Sequence, residues 1–358
     1  MNVVAPTPKR LRNSVKRRPR VLLITPFHEL NRGNAVTAAR IRDGLAALGW
    51  SVDFCSLAAR QNRELLAQWA DSDAGGLVHG FHALHTGRTL AEFPGLRRYP
   101  LALTMTGTDL HSLEGGKGTA ALTPVLDLAT ALVVFNADYV SLLNGLNPVW
   151  GGKTVLIPQG VALPEGRALT RKELNLAEDD VVFILPSGLR VIKNIAMAVD
   201  AFNLVSATGA KVKLLIAGPI LEPAYAEPLL KRCAANPRIK YLGALDHKEM
   251  KSLLSLTDVV LNCSRAEGQP QAVLEAMSLG KPGLLTAVPG NLGIIEDYRE
   301  GIYVRDAAAL AQAMEFCLRQ PEKRQAMGLA AQALVERRFA AEREINLYDQ
   351  LYRQIQLS

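Results

Sequence analysis

Apolar residues along the chain fall into short strand-sized runs separated by stretches in which they recur at helical spacing. Buried strands are predicted over 21–25, 52–57, 76–81, 101–106, 131–135 and 154–157. Between the first two, Val36, Ile41, Leu45 and Leu48 share the face of a helix over 34–48, and Gly49 ends it, being tolerant of positive φ. Residues 158–180 break the pattern with Pro158, Gly160, Pro164 and Gly166. A second alternating series then runs through strands at 181–185, 213–217, 239–242, 259–262 and 283–286. Three helical stretches over 307–319, 322–339 and 341–356 close the chain, with ordinary packing faces. Strands alternating with helices imply parallel sheets covered on both faces. The fold class is therefore α/β, with two Rossmann-like domains whose parallel sheets face each other across a cleft. Ligands of such sheets bind beyond the carboxyl ends of the strands.

The boundaries that follow are a basic tail over 1–19, an N-terminal domain over 20–160 and a linker over 161–180. The C-terminal domain spans 181–336, and a C-terminal helix over 337–358 has a return to the N-terminal domain as one course open to it. A length of 358 residues accommodates two domains, and 49% hydrophobic with 21% charged residues is a globular composition. No apolar run approaches the ~20 residues of a membrane span, and no secretory signal follows the N-terminus. A cytoplasmic protein is expected. Cys55, Cys233, Cys263 and Cys317 stand far apart without metal-ligand spacing, so reduced buried thiols are expected.

The net charge of +7 is a local property. Lys9, Arg10, Arg12, Lys16, Arg17, Arg18 and Arg20 fall among the first 20 residues with no acid, so the remaining chain is neutral. One reading is a solvated extension. The other is peripheral contact of residues 9–20 with an anionic membrane, worth ~1 kcal/mol per basic residue near the lipid. The tail has no aromatic residue for base stacking, so nucleic acid is not an expected partner.

The most informative segment runs from Asn262 to Met277. A strand delivers a loop bearing Glu267, Pro270 suits a first helical position, and Glu275 lies about 8 Å further along the helix axis. Two carboxylates so spaced can reach different parts of one extended ligand, with free N–H groups near residues 269–272 available to oxygens. Glu267 could equally complement a helix dipole. After another strand, Ser187-Gly188-Leu189-Arg190 and then Lys193-Asn194 place two cations beside a glycine turn, suited to a diphosphate or to a solvated basic turn. Val288-Pro289-Gly290-Asn291 follows a strand and precedes a stretch expected to be helical, as phosphate turns do.

These segments resemble glycosyltransferase family 4. Glu267-x7-Glu275, with Gly268, Pro270, Leu274, Ala276 and Met277, is similar to its E-x7-E signature. The resemblance implies that Glu267 addresses hydroxyls of the transferred sugar and Glu275 the donor ribose. Gly188-Leu189-Arg190 with Lys193 resembles the G-R-x4-K-G element holding the leaving diphosphate, with one intervening residue fewer and Asn194 in place of glycine. The Pro-Gly-Asn turn matches a further element. Asn31 to Ala38 lacks the G-x-G-x-x-G of dinucleotide binders, which disfavours a dehydrogenase. Its G-N-x-V-T-A string and Thr106-Gly107-Thr108-Asp109 resemble the glycosyltransferase 1 domain-containing proteins and the bacterial selenosugar synthases.

His79, His82 and His85 share one strand end but lack a carboxylate or cysteine at metal-ligand spacing. The loop resembles the family's His-rich loop facing the sugar, with His82 the matching histidine; His79 and His85 read as structural or peripheral. The resemblance thus implies a GT-B fold and a retaining, hexosyltransferase-type glycosyltransferase using a nucleotide-sugar, by family habit a UDP-sugar, and an unidentified acceptor. Glu267, His82, Arg190 and Lys193 would be catalytic. Gly33, Asn34, Gly188, Gly268, Gln269, Glu275, Gly290 and Asn291 would complete the donor site, and Thr37, Thr108 and Asp109 the acceptor side. The donor being a co-substrate and its charge being met by side chains, neither cofactor nor metal is expected. A glycoside hydrolase would need opposed carboxylates about 5–9.5 Å apart across one bond. A non-catalytic nucleotide-sugar binder on the same fold is the other alternative.

Overall fold

The computed structural model describes residues 19–26, 33–59, 62–114, 116, 118–205 and 211–357, without the side chains of residues 33, 34 and 357. Six parallel strands form the N-terminal sheet: β1 (Arg20–Thr25), β2 (Ser51–Ser56), β3 (Leu77–Phe81), β4 (Leu101–Thr104), β5 (Ala131–Val134) and β6 (Thr154–Leu156). Six more form the second: β7 (Val181–Pro186), β8 (Val212–Ala217), β9 (Ile239–Tyr241), β10 (Val259–Asn262), β11 (Gly283–Thr286) and β12 (Gly301–Val304). Helices α1 (Gly33–Ala47), α2 (Asn62–Asp71), α3 (Ala83–Glu92), α4 (Thr108–Glu114), α5 (Thr119–Leu128), α6 (Ala137–Leu146) and α7 (Pro148–Gly152) accompany the first sheet. The second carries α8 (Ile195–Leu204), α9 (Pro223–Ala234), α10 (His247–Ser255), α11 (Gln271–Ser278), α12 (Ala307–Arg319) and α13 (Pro321–Arg338), and α14 (Ala341–Leu357) ends the chain.

Side chains alternate across a strand, and here both faces are covered. Leu22 and Ile24 of β1 join one core, while Val21 and Leu23 join another on the opposite face. Phe183 and Leu185 of β7 are separated from Val182 and Ile184 in the same way. This is why these strands read as continuous apolar runs. β12 escaped the sequence pattern: its four residues follow a series of turns and extend the sheet beyond β11. The expected helix after Val288–Asn291 is absent, and residues 289–293 turn instead. Residues 161–180 do more than connect, because Leu169, Leu174 and Leu176 are buried with Val182 and Ile184.

Strand order places the site. The sheets run β2-β1-β3-β4-β5-β6 and β12-β11-β10-β7-β8-β9, so the order reverses between β1 and β3 in one and between β7 and β10 in the other. Diverging connections leave a crevice beyond the carboxyl ends at such a point.

Two crossings join the halves. The first continues from β6 to Val161, whose N–H donates to Phe339 O at 2.8 Å. The second leads into α14, whose Ile345, Tyr348 and Tyr352 enter the N-terminal core beside Val21, Leu23 and Phe81. Arg40 of α1 grips Glu344 with bonds of 2.6 and 3.1 Å. Burial nonetheless pushes the Glu344 carboxyl above its ordinary range, against the attraction of Arg40 and its hydrogen bonds.

Of the basic tail, residues 9–18 lie outside the described residues. Arg20 belongs to β1, where its guanidinium lies 4.4 Å from the Trp69 ring centroid and bonds Asp53. Among the described residues, no helix is long and apolar enough to cross a membrane. The four cysteines are free and buried.

His79 is fully enclosed between the Tyr352 hydroxyl and Thr104 Oγ1, the latter at 2.7 Å. Burial lowers its pKa from 6.5 to about 3. Between those values the unfolded chain takes up a proton that the folded one refuses. The contribution of neutral His79 to stability is therefore complete above 6.5 and is lost as pH falls toward 3. Urea denaturation of His79→Gln should show a shallower acid loss of stability than the parent, by up to about 1.4 kcal/mol per pH unit. Equal slopes would remove His79 as the source.

Candidate functional site

Both switch points open onto one cleft of about 510 Å³, the size of a small-ligand site. β7 ends at Pro186, and Ser187-Gly188-Leu189-Arg190 follows before a short turn over Val191–Lys193. Gly188 packs closely on Leu221, whose Cδ1 would have to move aside for a Cβ at 2.7 Å. Leu189 is buried in the core, and its N–H donates to Pro219 O at 2.8 Å. Asn194, in a left-handed conformation with φ 47°, turns the chain into α8. Arg190 and Lys193 thus project from a braced loop and line the cleft. The Arg190 Nε is enclosed and has no hydrogen-bond partner.

Lys193 donates to the Glu267 carboxylate, which also accepts from Ser264 Oγ at 2.7 Å and Asn262 Nδ2 at 3.0 Å. Burial works to raise the Glu267 pKa, but the Lys193 charge and these three hydrogen bonds outweigh it, leaving the carboxyl below its ordinary value. Glu267 is therefore an anion at neutral pH. Asn291 and Gly290 brace it from behind. Asn291 donates to Asn262 Oδ1 at 3.1 Å and to Thr286 O at 2.9 Å. Gly290, at φ 86°, lies where a Cβ would overlap the Glu267 carbonyl. Neither lines the cleft, so the Pro-Gly-Asn turn supports the wall instead of presenting N–H groups from it.

At the other end, Glu275 of α11 accepts from His247 Nε2 at 3.0 Å, and both line the cleft. Pro270 is the N-cap of α11, one position earlier than the sequence suggested. His247 was not legible in the sequence: it opens α10 after a three-residue strand, with no motif to single it out. Ser264 and Asn262 lay inside the motif without a role attached.

Gln269 faces the crossing. Its amide exchanges two 3.0 Å bonds with the backbone of Gln159, whose side chain accepts from Thr37 Oγ1 at 2.6 Å. Gln269 still borders the cleft, but the Thr37 hydroxyl is committed to Gln159 and does not line it. Gly268 is required by the opposing domain, because a Cβ there would stand 2.7 Å from Thr106 O.

The N-terminal wall holds His82, His85, Thr108 and His111. His82 has φ 76°, a strained value for a side-chain-bearing residue, and its Nε2 meets Thr108 Oγ1 at 3.0 Å. Its Nδ1 is enclosed without a partner. Burial, then the charges of His82 and Arg88, lower the His85 pKa despite Asp109. Gly33 begins α1 in the adjoining loop; the side chain of Asn34 lies outside the described residues, as do Asn31 and Arg32. Among the described residues, no three His, Cys, Asp or Glu gather as metal ligands.

Asp109 departs from its expected role on the acceptor side. It is buried, and its carboxylate accepts from the N–H groups of Thr106, Gly107 and Leu110 at 2.9, 3.0 and 3.1 Å and from Ala83 at 2.9 Å. It fastens the starts of α3 and α4 together. Asp109→Ala should lower unfolding free energy by roughly 1–3 kcal/mol or more through unsatisfied buried donors, read by denaturant titration. An unchanged midpoint would return Asp109 to ligand contact.

Residues 166–334 match the family described as Glycosyl transferases group 1. The chain is 23% identical over 340 residues to glycosyltransferase 1 domain-containing protein 1 of Xenopus tropicalis, covering 91% of this chain and 95% of that one. It is 28% identical over 184 residues to N-acetyl-alpha-D-glucosaminyl L-malate synthase of Bacillus anthracis, about half of each chain (51% and 48%). Among solved structures, sucrose-phosphate synthase of Thermosynechococcus elongatus superposes with a TM-score of 0.76 at 21% identity, covering 94% of this chain and 99% of that one. Anabaena HepE in complex with UDP-glucose gives 0.77 at 17% identity, covering 93% and 98%. Two parallel sheets facing one cleft are the GT-B fold of these glycosyltransferases. Residues 166–334 thus resemble the glycosyl transferases group 1 family, and the chain as a whole has the GT-B fold.

Proposed function

We propose that this protein is a retaining glycosyltransferase of glycosyltransferase family 4 that takes a nucleotide-sugar donor, with a UDP-sugar preferred. The observation that carries the reading is the meeting of Arg190, Lys193 and Glu267 at the switch point of the second sheet, with Glu275 at the far end of the same cleft. HepE, a structural neighbour, was crystallised with UDP-glucose, which supports the choice of donor class.

The geometry suits departure of a diphosphate. Arg190 brings an unpartnered donor to a partly enclosed loop, and Lys193 brings an ammonium already shared with Glu267. A diphosphate gains charge as the glycosidic bond breaks, and preorganised donors stabilise that charge best. Side-chain cations perform this neutralisation, so we assign no metal a role. Glu267, held ionised, accepts hydrogen bonds from sugar hydroxyls, and His82 lines the same cleft from the N-terminal wall. Glu275, oriented by His247, accepts from the ribose. A hydrolase reading is disfavoured because Glu267 is held as an anion by a cation, leaving it unsuited to the role of general acid.

The two cations predict different variants. Arg190→Ala should lower kcat for nucleoside diphosphate release about 10²–10³-fold with little change in melting temperature. Lys193→Ala should lose comparable rate and also stability, since it strands a buried carboxylate. Near-normal turnover in Arg190→Ala would defeat the diphosphate assignment. Steady-state kinetics of Glu275→Gln should show a raised donor KM with kcat little changed, because the ribose lies away from the reacting carbon. An unchanged KM would take Glu275 out of the donor site.

A further inference from the structure

Helix α6 of the N-terminal domain touches the loops of the opposite domain that shape the site. Asn136 caps it, accepting from Asp138 N at 2.9 Å, and its amide donates to Leu292 O at 2.9 Å beyond the Pro-Gly-Asn turn. One turn along, the Tyr139 hydroxyl donates to the backbone carbonyl of Glu267 at 2.5 Å. Tyr139 is 1% exposed, so its hydroxyl is shielded from solvent. On one side of the same peptide lies Gly290, where no Cβ fits. On the other, Gly107 is packed so closely that a Cβ there would stand 3.0 Å from Gly268 N. The peptide carrying Glu267 is thus held between the two domains, and its only side-chain anchor from the N-terminal one among the described hydrogen bonds is Tyr139.

We infer that Tyr139 is a positioning residue: by holding the Glu267 carbonyl it fixes the direction of the Glu267 carboxylate, so that the catalytic arrangement of the C-terminal domain is completed from the N-terminal one. This rests on the glycosyl-transfer reading for its consequence and on geometry alone for the contact. Asn136 contributes by restraining the turn behind. Tyr139 does not line the cleft, so its effect passes through the backbone. Burial raises its pKa, which keeps the hydroxyl a donor at neutral and mildly alkaline pH.

Tyr139→Phe removes the one oxygen and keeps the ring in its core. Hydrogen exchange of the ligand-free chain should then rise selectively in residues 264–269, with the sheet amides unchanged. With UDP-glucose as donor, kcat for UDP release should fall about tenfold or more, the size expected for a loss of 1.4 kcal/mol from the transition state. The affinity for UDP, measured by calorimetry, should remain that of the parent, a split that general destabilisation would not produce. Unchanged exchange would overturn the contact, and raised exchange with parental kcat would overturn the positioning role. A parent chain that binds UDP but releases none from UDP-glucose would count against the transfer reading, while the exchange result would still decide whether Tyr139 holds the loop.

Discussion

Everything in the cleft depends on how one stretch of backbone, Gln159-Gly160, is fixed where the chain passes between domains. Gln269 binds both polar groups of the Gln159 backbone, Thr37 holds its side chain, and Gln271 donates to Gly160 O at 2.8 Å. Gly160 lies against the start of α14, where a Cβ would come 2.6 Å from Ala341 Cα. Gln269 is two residues from Glu267, and Gly268 between them leaves no room for a Cβ against Thr106 O, so the course of the crossing bears directly on that carboxylate. Buried peptide groups left unpaired cost about 1–3 kcal/mol each, so the crossing has one favoured course. The return of α14, sealed by Arg40 and Glu344, closes the other side.

With the domains so placed, charge is distributed by function. The cations Arg190 and Lys193 and the carboxylates Glu267 and Glu275 come from the C-terminal domain, and the N-terminal wall adds imidazoles and hydroxyls. Glu267 is the point at which the halves meet: its carboxylate is held by Lys193, Ser264 and Asn262, and its carbonyl by Tyr139. Lys193 holds the resting carboxylate and, in the proposed reaction, also meets the diphosphate, which would link sugar recognition to leaving-group stabilisation. Removing it disturbs fold and chemistry together, whereas Arg190 is tied to no described partner through its Nε.

The two-sheet architecture was legible because strands buried on both faces are apolar throughout, as in 21–25 and 181–185, and Gly- or Pro-marked turns separate them. β12 was missed because turns, not a helix, lead into it, so it falls outside the strand–helix alternation, and the turns after β11 were mistaken for a helix because Pro-Gly-Asn opens helices elsewhere. The cations and glutamates of the cleft were visible as motifs. What spacing could not give was the use to which each polar group is put. Asp109 looks like a ligand residue by its motif, yet four backbone N–H groups claim it. Thr37 and Gln269 are drawn to Gln159, which no motif contains. His247 and Tyr139 arrive from sequence-distant elements, and only the folded chain brings them to Glu275 and Glu267.

The central assignment is a diphosphate site built on the loop after β7. Calorimetric titration of the full chain with UDP and with uridine measures the diphosphate's share of binding most directly. UDP should bind far more tightly than uridine, and Arg190→Ala should bring UDP close to the uridine value while leaving uridine itself unchanged. Equal affinity for the two in the parent chain, or an Arg190→Ala variant that keeps the full preference for UDP, would contradict it.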